Sequence, residues 1–129
     1  MAFTAQDIYR RAAALLFEEA GEDRDYEAHA PELINIILGE ALGAENSQRA
    51  SRGQEELLTA ARVESLDDEI PYSDELCSVA LPLGLASLFF QDECDDYKAQ
   101  DFRGRFLDAL ACASDGCPQE IEDVYGYGE

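Results

Sequence analysis

Hydrophobic residues recur at helical spacing in four parts of the chain, and this pattern predicts an all-α fold, a small bundle of four principal helices. The first helix is expected from about Ala5 to Ala20, because Thr4 offers an N-cap hydroxyl and Gly21 favours a stop. Ile8, together with the alanines and leucines that follow at helical spacing, should place one side of this helix against the core.

A polar segment, 21–30, follows and predicts a loop before the second helix. Pro31 suits the first turn of that helix, because its ring fixes φ and its missing N–H would have no helical partner there. The second helix is nearly as apolar as the third, so the two should pack together, and polar residues predict its end within 42–52. A long second connection follows, and its segment 54–70 fits either a short helix or a loop with extended pieces.

The third helix is expected to begin near Asp74, since the side chain of Ser73 or Asp74 offers an N-cap. Apolar residues cover much of its circumference, which is typical of a central helix packed on more than one side. Pro82 removes one helical hydrogen bond and Gly84 lowers helix propensity, so we expect a kink or a new start near Leu81.

The acidic patch QDECDD, 91–96, separates the third helix from a fourth that runs to about Ala113, and the two should be antiparallel. This gives a helical domain, 1–113, and a flexible acidic tail, 114–129. The tail is too poor in apolar residues to fold alone, but its aromatic residues would make useful anchors on a partner.

Three stretches carry a resemblance to a known family: ESLDDEIP at 64–71, ALPLGLASLFFQDE at 80–93 and AQDFRGRFLDAL at 99–110. Together they resemble the head-tail connector (adaptor, neck) proteins of long-tailed phages and prophages of Gram-positive bacteria. The resemblance covers roughly the C-terminal half of the chain, and the first half only in the order of its helices.

The resemblance implies a structural virion protein that assembles as a homo-oligomeric ring, a dodecamer, on the portal. Such a ring extends the DNA channel and joins head to tail, with the portal protein and the next neck or tail-completion protein as partners. DNA would pass through it without specific binding. The resemblance also implies a place in the neck of the virion, and in the host cytoplasm before assembly.

In the resembling family the second connection contacts neighbouring subunits, which makes it the first candidate for an assembly surface here. A ring also requires that one face of each subunit complement a different face of the next. The candidate assembly interface comprises Leu66, Ile70, Tyr72, Arg103, Ile121, Val124, Tyr125 and Tyr127.

Basic residues are few, and four of the nine lie in two predicted helices, as Arg10 and Arg11 in the first and Arg103 and Arg105 in the last. These could mark where one acidic subunit meets the acidic face of its neighbour. For Arg105 we favour pairing within the helix, with Asp101 at an i, i+4 spacing. Gly104, between two of these arginines, is a candidate for close approach of another helix.

The chain is strongly acidic, because 29 acidic against 9 basic residues give a formal net charge of −20. Such a surface repels nucleic acid, whose phosphates are bound mainly by lysine and arginine. In a ring, acidic residues that face the lumen would keep DNA from binding, although acidity by itself also serves solubility.

The charge equally fits a different class of protein, an acidic DNA-mimic inhibitor of a host nucleic-acid enzyme. A helical adaptor of a bacterial cytosolic complex is a third possibility.

No apolar run of 18 residues occurs, and the N-terminal residues lack the basic region and apolar core of a secretory signal. We therefore expect a soluble protein without a membrane partner.

Cysteines at 77, 94, 112 and 117 form no CxxC pair, and His29 is the single histidine, so the usual zinc signature is missing. Buried reduced thiols are expected at 77 and 112, and a 112–117 pair would need oxidation. The acidic clusters 67–69 and 92–96 match no EF-hand and are expected to be solvated loop residues. We predict no metal and no cofactor.

Catalytic motifs are missing from the sequence, which contains no GxxxxGK[ST], GxGxxG, HExxH or GxSxG. His29 lies in a polar segment without a serine or cysteine nucleophile in a known context, so a surface position is expected. We predict that the protein is not an enzyme and has no catalytic residues.

Overall fold

The computed structural model describes residues 3–16 and 24–115, and most of these residues are helical, which confirms the all-α prediction. The elements, in chain order, are β1 (Phe3–Thr4), α1 (Ala5–Leu15), α2 (Arg24–Ser51), β2 (Glu69–Ile70), a π-helical segment (Leu76–Ala80), α3 (Leu81–Asp92) and α4 (Asp96–Asp115).

Thr4 caps the start of α1, as the sequence predicts, and the structure shows that this cap is a capping box. The Thr4 hydroxyl accepts a hydrogen bond from the Asp7 N–H at 3.3 Å, and the Asp7 carboxylate accepts one from the Thr4 N–H at 3.0 Å. Thr4 also belongs to β1, which pairs antiparallel with β2 so that Phe3 lies opposite Ile70. The remainder of the predicted first helix, 17–20, lies outside the described residues.

The predicted loop 21–30 is wrong from Arg24 onward, because α2 already begins there and Pro31 lies inside the helix. Pro31 has no N–H to donate to the carbonyl of Glu27, so the helix lacks one backbone hydrogen bond at this point. Ala30, directly before the proline, is fully buried in the core, so this turn packs against the rest of the protein. Tertiary packing has overridden a local boundary signal.

The second helix ends at Ser51, within the predicted range. Gly53 follows with a φ of 75°, the left-handed conformation that glycine adopts without strain. The Gln54 N–H donates to the Arg49 carbonyl at 2.7 Å, and the Gly53 N–H donates to the Ala50 carbonyl at 3.2 Å. These two bonds form a Schellman motif and turn the chain back along α2.

The third helical stretch begins at Asp74 and takes a new register at Leu81, as expected. Pro82 cannot donate to the carbonyl of Ser78, and the Arg11 guanidinium of α1 donates to that carbonyl at 3.2 Å instead. The predicted side-chain cap at Ser73 is not formed. Its carbonyl accepts the first helical bond, but its hydroxyl is buried without a hydrogen-bond partner.

The turn between α3 and α4 centres on Cys94, which has a φ of 63°. The Asp95 N–H donates to the Phe90 carbonyl at 3.0 Å, and the Asp95 carboxylate accepts a hydrogen bond from the Lys98 N–H at 3.2 Å. One acidic residue therefore ends one helix and caps the next. Phe90 and Phe102 stack beside this turn with ring centroids 5.2 Å apart, as antiparallel neighbours should.

The core surrounds α3, which packs against α1, α2 and α4. α2 runs antiparallel to α3, because Ile37 lies against Gly84 while Gln48, nearer the end of α2, reaches Glu75 at the start of the third helical stretch. The largest fully buried side chains are Tyr9, Phe89, Phe106, Ile8, Ile34, Ile37, Leu38, Ile70, Leu76, Leu81, Leu85 and Val63.

Gly84 lies where α3 meets α2 and α4, and no other residue type fits there without displacement. A Cβ at this position would be 3.0 Å from two ring atoms of Phe106 and 3.1 Å from a methyl carbon of Ile37. Gly104, which the sequence suggests for close helix approach, has nothing within 4 Å of such a Cβ. The close approach therefore occurs at Gly84 and not at Gly104.

We predict that Gly84→Ala lowers the free energy of unfolding by about 1–3 kcal/mol, because Phe106 and Ile37 are fully buried and have little room to move. The matched control is Gly104→Ala, which should raise it by up to about 1 kcal/mol through helix propensity alone. Urea unfolding of the three proteins measures both changes. A stabilised Gly84→Ala variant would contradict the close packing described here.

Candidate functional site

The connection, which we define as residues 52–73, lies on the outside of α2 and is held there by side chains. Near its start, the Asn46 side chain binds both backbone groups of Leu57. The Asn46 amide nitrogen donates to the Leu57 carbonyl at 3.0 Å, and the Leu57 N–H donates to the Asn46 amide oxygen at 2.8 Å. One asparagine thus satisfies a donor and an acceptor that have no partner in a helix or sheet.

A second asparagine repeats this arrangement farther along. The Asn35 amide nitrogen donates to the Val63 carbonyl at 2.9 Å, and the Val63 N–H donates to the Asn35 amide oxygen at 2.7 Å. Asn35 and Asn46 are eleven residues apart, which is about three helical turns and places them on one face of α2. The connection therefore runs antiparallel to α2 and is held at two points.

Tyr72 fastens the connection a third time. Its hydroxyl donates to the Leu38 carbonyl of α2 at 2.8 Å and accepts a hydrogen bond from the Ala61 N–H at 3.4 Å. Burial raises the pKa of this phenol, so it remains a neutral donor at physiological pH. A tyrosine at the end of the connection thus also holds its middle.

The connection ends in a polar cluster beside the start of the third helical stretch. The Glu45 carboxylate, which is 3% exposed, accepts hydrogen bonds from the Arg49 Nε and the Ser73 N–H, both at 2.7 Å. Arg49 also donates to the carbonyls of Pro71 at 2.8 Å and Glu55 at 3.3 Å. An ion pair between buried Glu45 and partly exposed Arg49 therefore holds both ends of the connection.

Leu58 points away from the protein, and its side chain is 97% exposed, more than any other large apolar side chain of the described residues. Its neighbour Leu57 is half-buried and packs against the core. The chain bends at Leu58, and the two neighbouring side chains face different ways, Leu57 toward the core and Leu58 toward solvent. The hydrogen bonds from Asn46 hold the backbone at Leu57, directly before this exposed side chain.

The predicted interface residues of the connection differ in exposure. Ile70 is 1% exposed and Tyr72 is 5% exposed, so both side chains belong to the core and neither is available to a second molecule in this conformation. Leu66 is half-buried against the core, and its carbonyl accepts a hydrogen bond from the Gln6 N–H at 2.8 Å. Leu58 was not among the interface residues predicted from the sequence.

Arg103, the predicted interface residue on α4, forms a bidentate ion pair with Glu40 of α2 at 2.8 and 2.6 Å. Hydrogen bonding to Arg103 holds the pKa of the Glu40 carboxyl below its usual value. Both side chains are more than a third exposed, so the pair lies at the surface where α2 and α4 meet. The predicted ion pair between Asp101 and Arg105 is confirmed at 3.1 Å.

A groove of about 310 Å³ lies between the end of α3 and the start of α4. It is lined by the apolar residues Leu88 and Ala99 and by the polar residues Ser87, Gln91, Gln100 and Arg103. Asp96 also lines it, at the first turn of α4.

The remaining predicted interface residues, Ile121, Val124, Tyr125 and Tyr127, lie outside the described residues, as does Cys117.

The acidic clusters of the sequence have local roles in the turns. The Asp68 carboxylate accepts hydrogen bonds from the N–H groups of Glu64 at 2.7 Å and Ser65 at 3.3 Å, and Asp95 caps α4. Within residues 3–16 and 24–115, no three histidine, cysteine or acidic side chains gather where they could hold a metal ion. His29 is exposed on α2. Burial raises the pKa of the Cys77 thiol to about 12, so this thiol stays protonated at physiological pH.

None of the helices among the described residues is both long and apolar enough to span a membrane. Comparisons of the chain with protein-family models, with curated proteins and with solved structures found no match.

We predict that Asn46→Ala loosens the connection, because it leaves the Leu57 N–H and carbonyl without their partners. The free energy of unfolding should fall by about 1–3 kcal/mol, and limited proteolysis should cut the connection faster. Asn46→Asp is the matched control, since it keeps an acceptor for the N–H but loses the donor to the carbonyl, and should lie between the two. Equal cleavage rates in all three proteins would contradict a role of the Asn46 side chain in holding the connection.

We predict a small, pH-dependent loss of stability for Glu40→Gln. The lowered pKa of Glu40 means that the pair with Arg103 stabilises the fold above the ordinary carboxyl pKa of 4.5, and that this contribution disappears as the pH falls through the folded-state pKa. The difference from wild type should be about 0.2–1 kcal/mol at pH 7 and should shrink as the pH is lowered toward 3.

Thermal unfolding across this pH range measures the effect. Glu32→Gln is the control on the same helix, because Glu32 is exposed and forms no ion pair with the described residues. A Glu40→Gln deficit that is the same at pH 3 and pH 7 would show that the carboxylate charge is not responsible.

Proposed function

We propose that this protein is a head-tail connector, which assembles as a ring on the portal of a long-tailed phage or prophage, extends the DNA channel and joins head to tail. The observation that carries the proposal is the connection on the outside of α2, which is fixed by Asn35, Asn46 and Tyr72 and displays Leu58 to solvent. Long loops without secondary structure are uncommon in compact domains and often have a function.

A prearranged surface segment suits an assembly protein, because little conformational entropy is lost when it binds. The backbone groups of Leu57 and Val63 are bound by Asn46 and Asn35 of α2, so the connection has a defined shape before a neighbour arrives. Its mechanism would be geometric. Each copy contributes one wall segment of the channel, and the ring presents a new surface to the portal on one side and to the next neck or tail-completion protein on the other.

The acidic charge supports passage of DNA without binding, since a wall of carboxylates repels phosphate. The connection segment 54–69 alone holds six acidic residues and one basic residue.

The alternative, an acidic DNA-mimic inhibitor, needs carboxylates presented in a row as phosphates are. That alternative is less well supported, because Asp68 and Asp95 use their carboxylates within the turns.

Quantitative mass spectrometry of gradient-purified particles from the source phage or induced prophage tests the proposal. We expect this chain at a copy number close to that of the portal protein. Leu58→Glu should reduce that number severalfold, whereas Thr59→Glu, an equally charged change at the next exposed position, should leave it unchanged. Absence of the wild-type chain from particles, with abundance in the infected cytosol, would overturn the connector proposal and favour the inhibitor.

A further inference from the structure

We infer that residues 55–63 of the connection, which we call the flap, open from α2 as one unit while the helices stay folded, and that Arg49 holds the flap closed. The device is a property of the fold and does not depend on the proposed role at the portal. It follows from the way the flap is held, from the little surface that it buries and from the bonds of Arg49.

The flap is held to the rest of the protein by side chains. Residues 55–63 form no backbone–backbone hydrogen bond with the residues that the structure describes. Four side chains bind the backbone of the flap instead, those of Asn35, Asn46, Arg49 and Tyr72. Contacts of this kind can break while the backbone ladder of the helix that carries them stays intact.

The flap also buries little apolar surface. Val63 is its one fully buried side chain, at 2% exposed, and five of its nine residues are exposed. Leu57 is half-buried, and Leu58 is 97% exposed. Because apolar burial is the main force that keeps a segment in place, the flap is the part of the connection that opens most easily.

The second part of the connection, 64–70, is fixed to the N-terminal elements by backbone hydrogen bonds. The Ala5 N–H donates to the Asp68 carbonyl at 2.9 Å, and the Gln6 N–H donates to the Leu66 carbonyl at 2.8 Å. Ile70 is 1% exposed and belongs to β2, which pairs with β1. The boundary between the part that opens and the part that stays therefore lies after Val63.

Arg49 joins the flap to this fixed part. Its guanidinium donates to the carbonyl of Glu55, at the start of the flap, at 3.3 Å and to the carbonyl of Pro71, after the fixed part, at 2.8 Å. The Arg49 Nε donates to the Glu45 carboxylate at 2.7 Å, and Glu45 is 3% exposed. This buried carboxylate orients the guanidinium, so one side chain closes the loop at its base.

Opening of the flap changes what α2 presents to solvent. It releases the side-chain amides of Asn35 and Asn46, each of which then offers a donor and an acceptor side by side. Such an amide can bind the N–H and the carbonyl of one residue in any extended segment, whatever its side chain. The flap therefore switches this face of α2 between a covered state and one that can bind an extended backbone.

Native-state hydrogen exchange in low concentrations of urea, followed by NMR, tests the device on the wild-type protein. We expect the amides of Leu57 and Val63 to share one free energy of opening. It should be lower than that of core amides in α3, such as Leu85 and Phe89, which open only when the whole protein unfolds.

Asn46→Ala tests whether the flap opens as one unit. The readout is the amide of Val63, whose own partner Asn35 lies roughly 16 Å away along α2. If the flap is one unit, loss of the Asn46 bonds should speed exchange at Val63 about tenfold or more, although the bonds of Val63 itself are unchanged. Two independent contacts would leave exchange at Val63 as it is in the wild type.

Arg49→Lys tests the closing contact. A lysine keeps the positive charge beside Glu45, but its compact ammonium lacks the planar fork that reaches both carbonyls. Both flap amides should exchange about tenfold faster, while the α3 amides keep their rates. Arg52→Lys is the matched control, because Arg52 pairs with exposed Glu75 at 3.7 Å and has no hydrogen bond to the flap. It should leave all of these rates unchanged.

Exchange at Leu57 and Val63 that occurs only together with the α3 amides overturns the inference, since the flap would then have no opening of its own. An unchanged rate at Val63 in Asn46→Ala also overturns it, because the two asparagines would act separately. Unchanged flap rates in Arg49→Lys would reject the role of Arg49.

Discussion

The exposed surface of this protein depends on how the connection satisfies its backbone hydrogen bonds. A segment with little secondary structure that lies against a protein leaves N–H and carbonyl groups without partners, and each unsatisfied buried group costs free energy. An asparagine amide carries one donor and one acceptor side by side, so it can bind both backbone groups of a single residue. Asn46 does this for Leu57, and Asn35 does it for Val63.

The helices beneath provide the rigid base that these clamps need. α3 approaches α2 and α4 closely at Gly84, where fully buried Ile37 and Phe106 leave no space for a side chain. Because this packing fixes α2, it also fixes the positions of both asparagines on its outer face. The Arg11 guanidinium bound to the Ser78 carbonyl joins α1 to the same structure at the point where Pro82 leaves that carbonyl without a helical donor.

Features set by neighbouring residues were predictable from the sequence, and those set by distant contacts were not. The cap at Thr4 and the new register at Leu81 depend on residues within a few positions, and both were predicted. The helical turns that precede Pro31 run against a local signal for a loop, and Ala30 at their end packs in the core against residues distant in the sequence.

In the candidate site, too, some residues were predictable from the sequence and others depend on contacts with distant residues. Arg103 was predicted from the scarcity of basic residues, and it lines the groove and binds Glu40 of α2. Leu58 was not predicted, and the backbone next to it is held by Asn46, eleven positions before Leu57 in the sequence. Ile70 and Tyr72 are apolar in pattern and were predicted to face a neighbour, but an apolar pattern alone does not distinguish an interface from the core.

The central claim is that the connection is a fixed structural element rather than a loose loop. Hydrogen exchange of its individual amides, followed by NMR on the wild-type protein, tests this most directly. The account predicts slow exchange at Leu57 and Val63, which donate to asparagine side chains, and fast exchange at Leu58 and Thr59, which face solvent. Equally fast exchange at all four amides would mean that the clamps do not persist in solution, and would contradict the account.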